Sequence, residues 1–573
     1  MHVFKSNGVK EFKELGWEPL NTTQQTTIFV ARPEIELMKR IVQHVRRESE
    51  RSSDQDFVVF FVPRRTFICS QILKDEGVDA MISDLVDFDI DLIPFEDDVL
   101  SLELHSSFID CYVDNDMIML SHVARSIMKL QSLYGIIPQL KAKGRMASTV
   151  LNMVLRMRDE RFAAGVADFR HSSEIDMCCI IDRSVDFVSP LVTPLTYEAL
   201  IDEMLGIENG VLYVDPKEPS SRGESSGAKL RRRSTGATSR RDPSSSQLKK
   251  SHIRLNNNSS LYQEIRDANI SSIGPILQEK TREVRALYNS RPSAENVKSK
   301  SVEALRDFVR KIPALKEGYE SLETHTQIAQ EIVRTTNSVS FRKRWRLERM
   351  IMEGGSGQSY LEDAIARQEP LVDVLRLLSL QSIANCGLKT SAYLRTEILQ
   401  TYGFEILLAL HRLEKLQMVT KRSSPFQWSK VRNKFKLIVE GESAMSDVAY
   451  VTAGYAPLSA RIVQMAMKNE WKRNEESLRL LPGPQLECTQ PGVAPKHVKS
   501  SSTRDAGDDE KKTMLVYFVG GVTFMEIAAL RWLARRKQSR YNIIIATTKM
   551  ISGRTFMQSL VEGLPNAPAA PSS

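Results

Sequence analysis

Apolar strands alternate with amphipathic helices near both ends of the chain, and a long, purely helical stretch lies between them. This order predicts an α/β plus all-α protein: Rossmann-like parallel sheets with an inserted helical domain. Two strands, at 56–62 and 175–181, carry continuously apolar runs (57–62 and 177–181), as parallel strands buried on both faces do. A length of 573 residues is too great for a single core and predicts about three or four domains.

The elements follow in order. Residues 26–30 form a short strand, and Pro33 opens a helix through Ile35, Met38, Ile41 and Val45, since proline suits a first helical turn. Residues 56–62 form a strand ended by Pro63, and 89–94 give another. One helical stretch is predicted for 121–162, from Ile127, Leu130 and Leu133 to Val150, Met153 and Val154. Next come the strand 175–181, a helix over 196–205 and a strand over 211–214. From 261 to about 473 the pattern is helical, with a bend or turn at Pro313 and a helix opened by Pro370. The chain then returns to α/β: strand 514–519, helix 524–535, strand 541–546 and helix 555–561. The economical reading is one sheet completed by the two ends of the chain. The predicted divisions are an N-terminal α/β domain at 1–96 and a first part of a central α/β domain at 97–214. A basic loop at 215–252 precedes a helical domain at 253–374 and a second helical part at 375–489. A linker at 490–512 leads to the rest of the central domain at 513–573.

The net charge of +8 invites a nucleic-acid reading, but one segment accounts for most of it. Residues 215–250 hold ten Lys/Arg and four Asp/Glu, a local +6 that leaves +2 for the rest. This segment is too polar to order itself, and no nucleic-acid partner is expected. The six cysteines fit no zinc spacing and read as reduced thiols of a cytosolic chain. No metal and no cofactor are expected. No apolar run approaches the ~20 residues of a membrane span, so membranes are reached only through partners.

Asp182-Arg183-Ser184-Val185-Asp186 follows a buried strand, where open α/β sheets place ligands. An acidic pair there could hold magnesium for phosphoryl transfer, or tie down a turn through hydrogen bonds and ion pairs. No GxxxxGK[ST] and no GxSxG is present, which favours the turn. Gly520-Gly521 lies between a strand and a helix, and the GxGxxG spacing is absent, so it reads as a tight turn.

These stretches resemble the SM family of SNARE chaperones, the Sec/Munc type. The resemblance rests on Asp182–Asp186 with Ser189-Pro190-Leu191, on the segment 195–203, and on Gly520-Gly521-Val522-Thr523 with 526–531. Further segments, among them 61–65, 91–95, 133–139, 397–403, 449–459 and 481–484, are similar to its vacuolar protein sorting-associated protein 33 branch. The resemblance spans about 12–560. It implies a three-domain arch and a non-enzymatic role in templating and protecting SNARE assembly during endosome–lysosome or vacuole fusion. It further implies membership of the HOPS and CORVET complexes, docking on vacuolar protein sorting-associated protein 16, and a cytoplasmic place on late endosome, lysosome or vacuole membranes. The alternatives are a nucleotide-binding α/β enzyme or a plain tether scaffold. Relative to the family, roughly forty residues, one strand and one helix, are expected to be missing ahead of residue 12. The family's SNARE-binding hairpin matches about 302–352 with Pro313 at its bend, which implies Pro313, Leu315, Tyr319 and Ile328 as SNARE contacts; the alternative is that Leu315 and Ile328 pack inside the hairpin. For the tether subunit, a helix over 395–416 with Phe404 and Leu407 on one face is expected.

Overall fold

The computed structural model describes residues 2–20, 25–51, 55–165, 173–214, 251–289, 302–421, 427–439, 446–490 and 511–561. The side chains of 2–3, 214, 251–252, 287–289 and 302–315 lie outside that description, as do the basic segment 215–250 and most of the 490–512 linker. The chain divides into two compact units, Met1–Ile93 and Pro94–Ser573.

In the first unit three parallel strands stand in the order β1 (Thr26–Ala31), β2 (Asp56–Phe61), β3 (Ile82–Asp87). Helix Ile35–Arg51 joins β1 to β2 and buries Met38, Ile41 and Val45 against Phe29, Phe57 and Phe61. Along β2, Phe57, Val59 and Phe61 are buried while the residues between them are only partly covered, so this run is not sealed on both faces as its composition predicts. The strand expected at 89–94 is shifted to Ile93–Glu96, and β3, earlier in the chain, was missed because Ser83, Asp84 and Asp87 hide it from an apolar pattern.

The second unit is organised by a seven-stranded sheet. Its strands are β4 (Ile93–Glu96), β5 (Val99–Ser101), β6 (Gln139–Lys143) and β7 (Met177–Asp182). A separate antiparallel pair, β8 (Val211–Val214) and β9 (Ser251–Arg254), stands beside it. The chain returns with β10 (Gln485–Thr489), β11 (Lys512–Val519) and β12 (Tyr541–Thr547), giving the order β10-β6-β7-β11-β12-β5-β4. β7 is buried at every residue and β11 from Met514 onward, as interior parallel strands require.

The helical stretch expected over 121–162 is two helices, Ile118–Tyr134 and Arg145–Ala163, with the unexpected strand β6 between them. Lys141 and Lys143 disguised that strand. Both are buried: Lys143 Nζ donates to the carbonyls of Leu481 (3.1 Å) and Gly483 (2.6 Å). Lys141 pairs with Glu487 (3.5 Å) and lies over the Trp471 ring.

Helices dominate 260–479. Helix Leu371–Ala384 is apolar on nearly every side and lies within one core shared with β7 and β11. Helix Val302–Thr336 runs without interruption past Pro313. The turn falls instead at 337–338, before helix Val339–Met352. Helix Val302–Thr336 packs against the preceding helix, Ile270–Asn289, as well as against Val339–Met352, so the bend expected at Pro313 is not where the chain turns. Proline removes one helical hydrogen bond and bends the axis, and a 35-residue helix keeps enough others to continue.

Candidate functional site

The turn after β7 is tied down by a buried hydrogen-bond network. Arg183 is fully buried, and its two terminal nitrogens grip Glu526 at 2.8 and 2.9 Å. It also donates to the backbone oxygens of Asp186 (2.6 Å) and Gly521 (3.3 Å). Asp186 accepts from Ser189 N (3.0 Å), Ser189 Oγ (2.6 Å) and Ser459 N (3.2 Å). Burial alone would raise the Glu526 carboxyl, and the adjoining guanidinium overrides this and holds it below the ordinary value. Asp186 is raised, chiefly by burial. The cluster clamps β7 to helix Phe524–Arg535 and to helix Leu458–Met467.

Asp182 is spent differently. Its carboxylate accepts from Tyr112 Oη (2.6 Å), Met146 N (2.6 Å), Ser184 N (2.8 Å) and Ser184 Oγ (2.7 Å). Met146 N belongs to the first turn of helix Arg145–Ala163, so Asp182 holds the place an anionic ligand would take at a helix N-terminus. A cavity of about 240 Å³ opens beside it, yet the backbone donors Met146 N and Ser184 N, at the start of the helix and in the turn, already serve Asp182. A Cβ on Gly144, at φ +103°, would collide with the Asp182 side chain, which explains that glycine. The diglycine turn is closed similarly. A Cβ on Gly520 would come within 2.8 Å of Arg183 Cβ. The next helix carries its own capping box, Thr523 with Glu526. Of the two readings of the 182–186 motif, the tied-down turn is the one this geometry fits. Tyr112 was not legible as part of it, because it reaches Asp182 from 70 residues away.

The sequence-derived contact residues fall in different environments. Tyr319 is 60% exposed on helix Val302–Thr336. Ile328, on the same helix, is 5% exposed and packs in a core with Tyr197, Ile265 and Phe341. It therefore offers no surface to a partner, and its expected contact role is corrected to an internal support. One turn before it, buried His325 stacks on Tyr262 at 5.5 Å and meets Tyr197 Oη at 3.2 Å; burial holds its pKa down at about 4. Pro313 sits within the helix, and its side chain and that of Leu315 lie outside the described residues.

The single helix expected over 395–416 is broken. Helix Ser391–Tyr402 ends at Gly403 (φ +101°), a 3-10 turn spans Phe404–Ile406, and helix Leu407–Lys415 follows. Gly403 was the available signal, as the usual residue for a left-handed helix end. Phe404 is nonetheless 74% exposed and Leu407 39%; Leu408, which sequence reasoning missed, is 52% exposed.

A mostly parallel sheet whose ligand position is filled by its own aspartate, together with a long helical region, is the architecture to be matched. The Sec1 family model matches residues 1–559, and the chain belongs to the Sec1 family. It is 38% identical over 545 residues to vacuolar protein sorting-associated protein 33A of Rattus norvegicus, covering 93% of this chain and 86% of that protein. It is 34% identical over 564 residues to the vacuolar protein-sorting-associated protein 33 homolog of Arabidopsis thaliana, covering 97% and 89%. Among solved structures it is similar in fold to the SM protein Vps45 in complex with the Qa SNARE Tlg2, with TM-score 0.58 and 14% identity over 94% of this chain and 88% of that one. It is equally similar to the Unc18–syntaxin 1 complex from Monosiga brevicollis, with TM-score 0.58 and 15% identity over 97% and 91%.

Proposed function

We propose that the chain is a non-enzymatic SM protein that templates and protects SNARE assembly in vacuolar and endosomal membrane fusion, as a subunit of HOPS and CORVET. Family membership over 1–559 supports this reading. The observation that carries it against an enzyme is that the acids after β7 are committed to the protein's own donors. The relatives' names support the vacuolar and endosomal setting. Among the described residues no helix is long and apolar enough to cross a membrane, which accords with peripheral attachment through partners.

The mechanism needs no covalent step. Free SNARE segments lose about 2–5 kcal/mol of ordering free energy when they fold together. A surface that holds two of them in register removes part of this. It also converts a bimolecular encounter into one at roughly millimolar effective concentration. Within this reading the helical segments 253–374 carry the SNARE surface, with Tyr319 as an aromatic anchor. The segments 375–489 carry the tether surface, with Phe404, Leu407 and the added Leu408.

Two exposed positions test the surfaces without threatening the core. Tyr319→Asp is expected to weaken binding of labelled SNARE-motif peptides by about tenfold, the ~1.4 kcal/mol of a modest hot spot, with an unchanged melting temperature. Fluorescence anisotropy measures it, and equal affinity would remove Tyr319 from the surface. Phe404→Asp is expected to abolish co-purification with vacuolar protein sorting-associated protein 16 while the circular dichroism melt stays put. Retained co-purification would place the tether contact elsewhere.

A further inference from the structure

A cavity of about 330 Å³ lies between helix Tyr197–Met204, the β8–β9 pair and the start of helix Phe524–Arg535. Its volume corresponds to roughly ten water molecules. Phe95, Tyr262 and Phe524 supply aromatic wall, and carboxylates stand among them. Two of these are ion-paired, Glu96 with Arg531 and Arg266 and Glu198 with Arg531, and Glu198 also accepts from Tyr262 Oη at 2.5 Å.

Asp202 is not neutralised. It is 7% exposed, and its only hydrogen bond among the described residues is from Ile207 N to Oδ1 at 3.1 Å. Among the described residues no hydrogen bond reaches its second oxygen, Oδ2, and Asp202 is one of the residues that line the cavity. Glu103, 8% exposed, lines the same space, and Glu208 stands exposed at the rim. The basic side chains that line the same cavity are Lys549 and His105. Burial, with Glu203, Glu198 and Glu103 nearby, raises the Asp202 pKa to about 7. A buried carboxylate with an oxygen that no described residue hydrogen-bonds, beside aromatic faces, is the chemistry that recognises an organic cation.

We propose that this cavity binds an organic cation, the guanidinium or ammonium end of an alkyl chain, with the Asp202 carboxylate as its counter-ion. Such an end comes either from a free polyamine or from an arginine or lysine side chain of a bound peptide. The proposal does not depend on Tyr319, Phe404, Leu407 or Leu408, none of which lines this cavity.

Isothermal titration calorimetry on the full chain tests it with two probes, spermidine and N-acetyl-arginine amide. Saturable binding of at least one is expected, and which one binds tighter identifies the source. Asp202→Asn keeps the acceptor for Ile207 N and removes only the charge. It is expected to weaken binding at least tenfold while melting no lower than the unaltered chain. Glu208→Lys, at the exposed rim, is expected to weaken binding severalfold without touching the interior. Because Asp202 is partly protonated near pH 7, binding is expected to release protons, so the measured heat depends on the buffer's ionisation enthalpy. No saturable heat with either probe, or affinities within twofold for both variants, would overturn the assignment.

Discussion

Replacing Arg183 by Met is expected to destabilise the protein by about 3–5 kcal/mol, because it leaves a buried carboxylate without its partner. Glu526 is fully buried and draws both terminal nitrogens of Arg183, and Asp186 takes a further contact at 3.7 Å. The loss comes from the stranded acids more than from the missing cation. A second change, Glu526→Gln, made on top of Arg183→Met, is therefore expected to restore at least about 1 kcal/mol. Urea unfolding of the single and double variants measures both effects. If the two changes simply add, Arg183 and Glu526 are not coupled and the clamp is misread. A catalytic arginine would behave differently, since its removal would reduce turnover with little effect on stability.

Ile328→Asp is expected to have a comparable effect for another reason. Ile328 is 5% exposed in the core that holds helix Val302–Thr336 against Tyr197, Ile265 and Phe341. Truncation of such a side chain alone costs about 2–5 kcal/mol, and an unpaired buried carboxylate adds to that. The variant is expected to lose helical circular dichroism on mild warming and to lose SNARE binding only as a consequence. Ile328→Val, at about 0.5–1.5 kcal/mol, should leave binding intact. A cleanly folded Ile328→Asp with selectively lost binding would return this residue to the contact surface.

The legible parts of the fold were those that local pattern dictates. β7 and β11 are continuous apolar runs, and both are interior strands of the sheet. Helix Phe524–Arg535 follows a capping box visible as Thr523 and Glu526. β6 was not legible, since Lys141 and Lys143 find partners only when 471–487 fold against them. β9 and β10 escaped for a related reason. Each is a short strand, paired antiparallel to one distant in sequence or beyond a long polar segment. Pro313 misled because a helix breaker weighs heavily in a local reading, whereas a long helix absorbs one lost bond.

The candidate site was legible by motif and not by environment. Residues 182–186 stood out, but whether their acids faced a ligand or the protein depended on Tyr112, Ser459 and Glu526. Likewise Tyr319 and Ile328 look alike as apolar side chains on one helix. Only the packing of Tyr197 and Phe341 separates the exposed one from the buried one.

The central claim, that this chain templates SNARE assembly without chemistry of its own, is tested most directly by an assembly rate. Qa- and R-SNARE motifs carrying a fluorescence donor and acceptor are mixed in nucleotide-free buffer, with and without the protein, and energy transfer is followed in time. The account predicts saturable acceleration of at least about tenfold, which Tyr319→Asp reduces. A folded protein that leaves the rate unchanged, or accelerates it only when nucleotide is added, would contradict it.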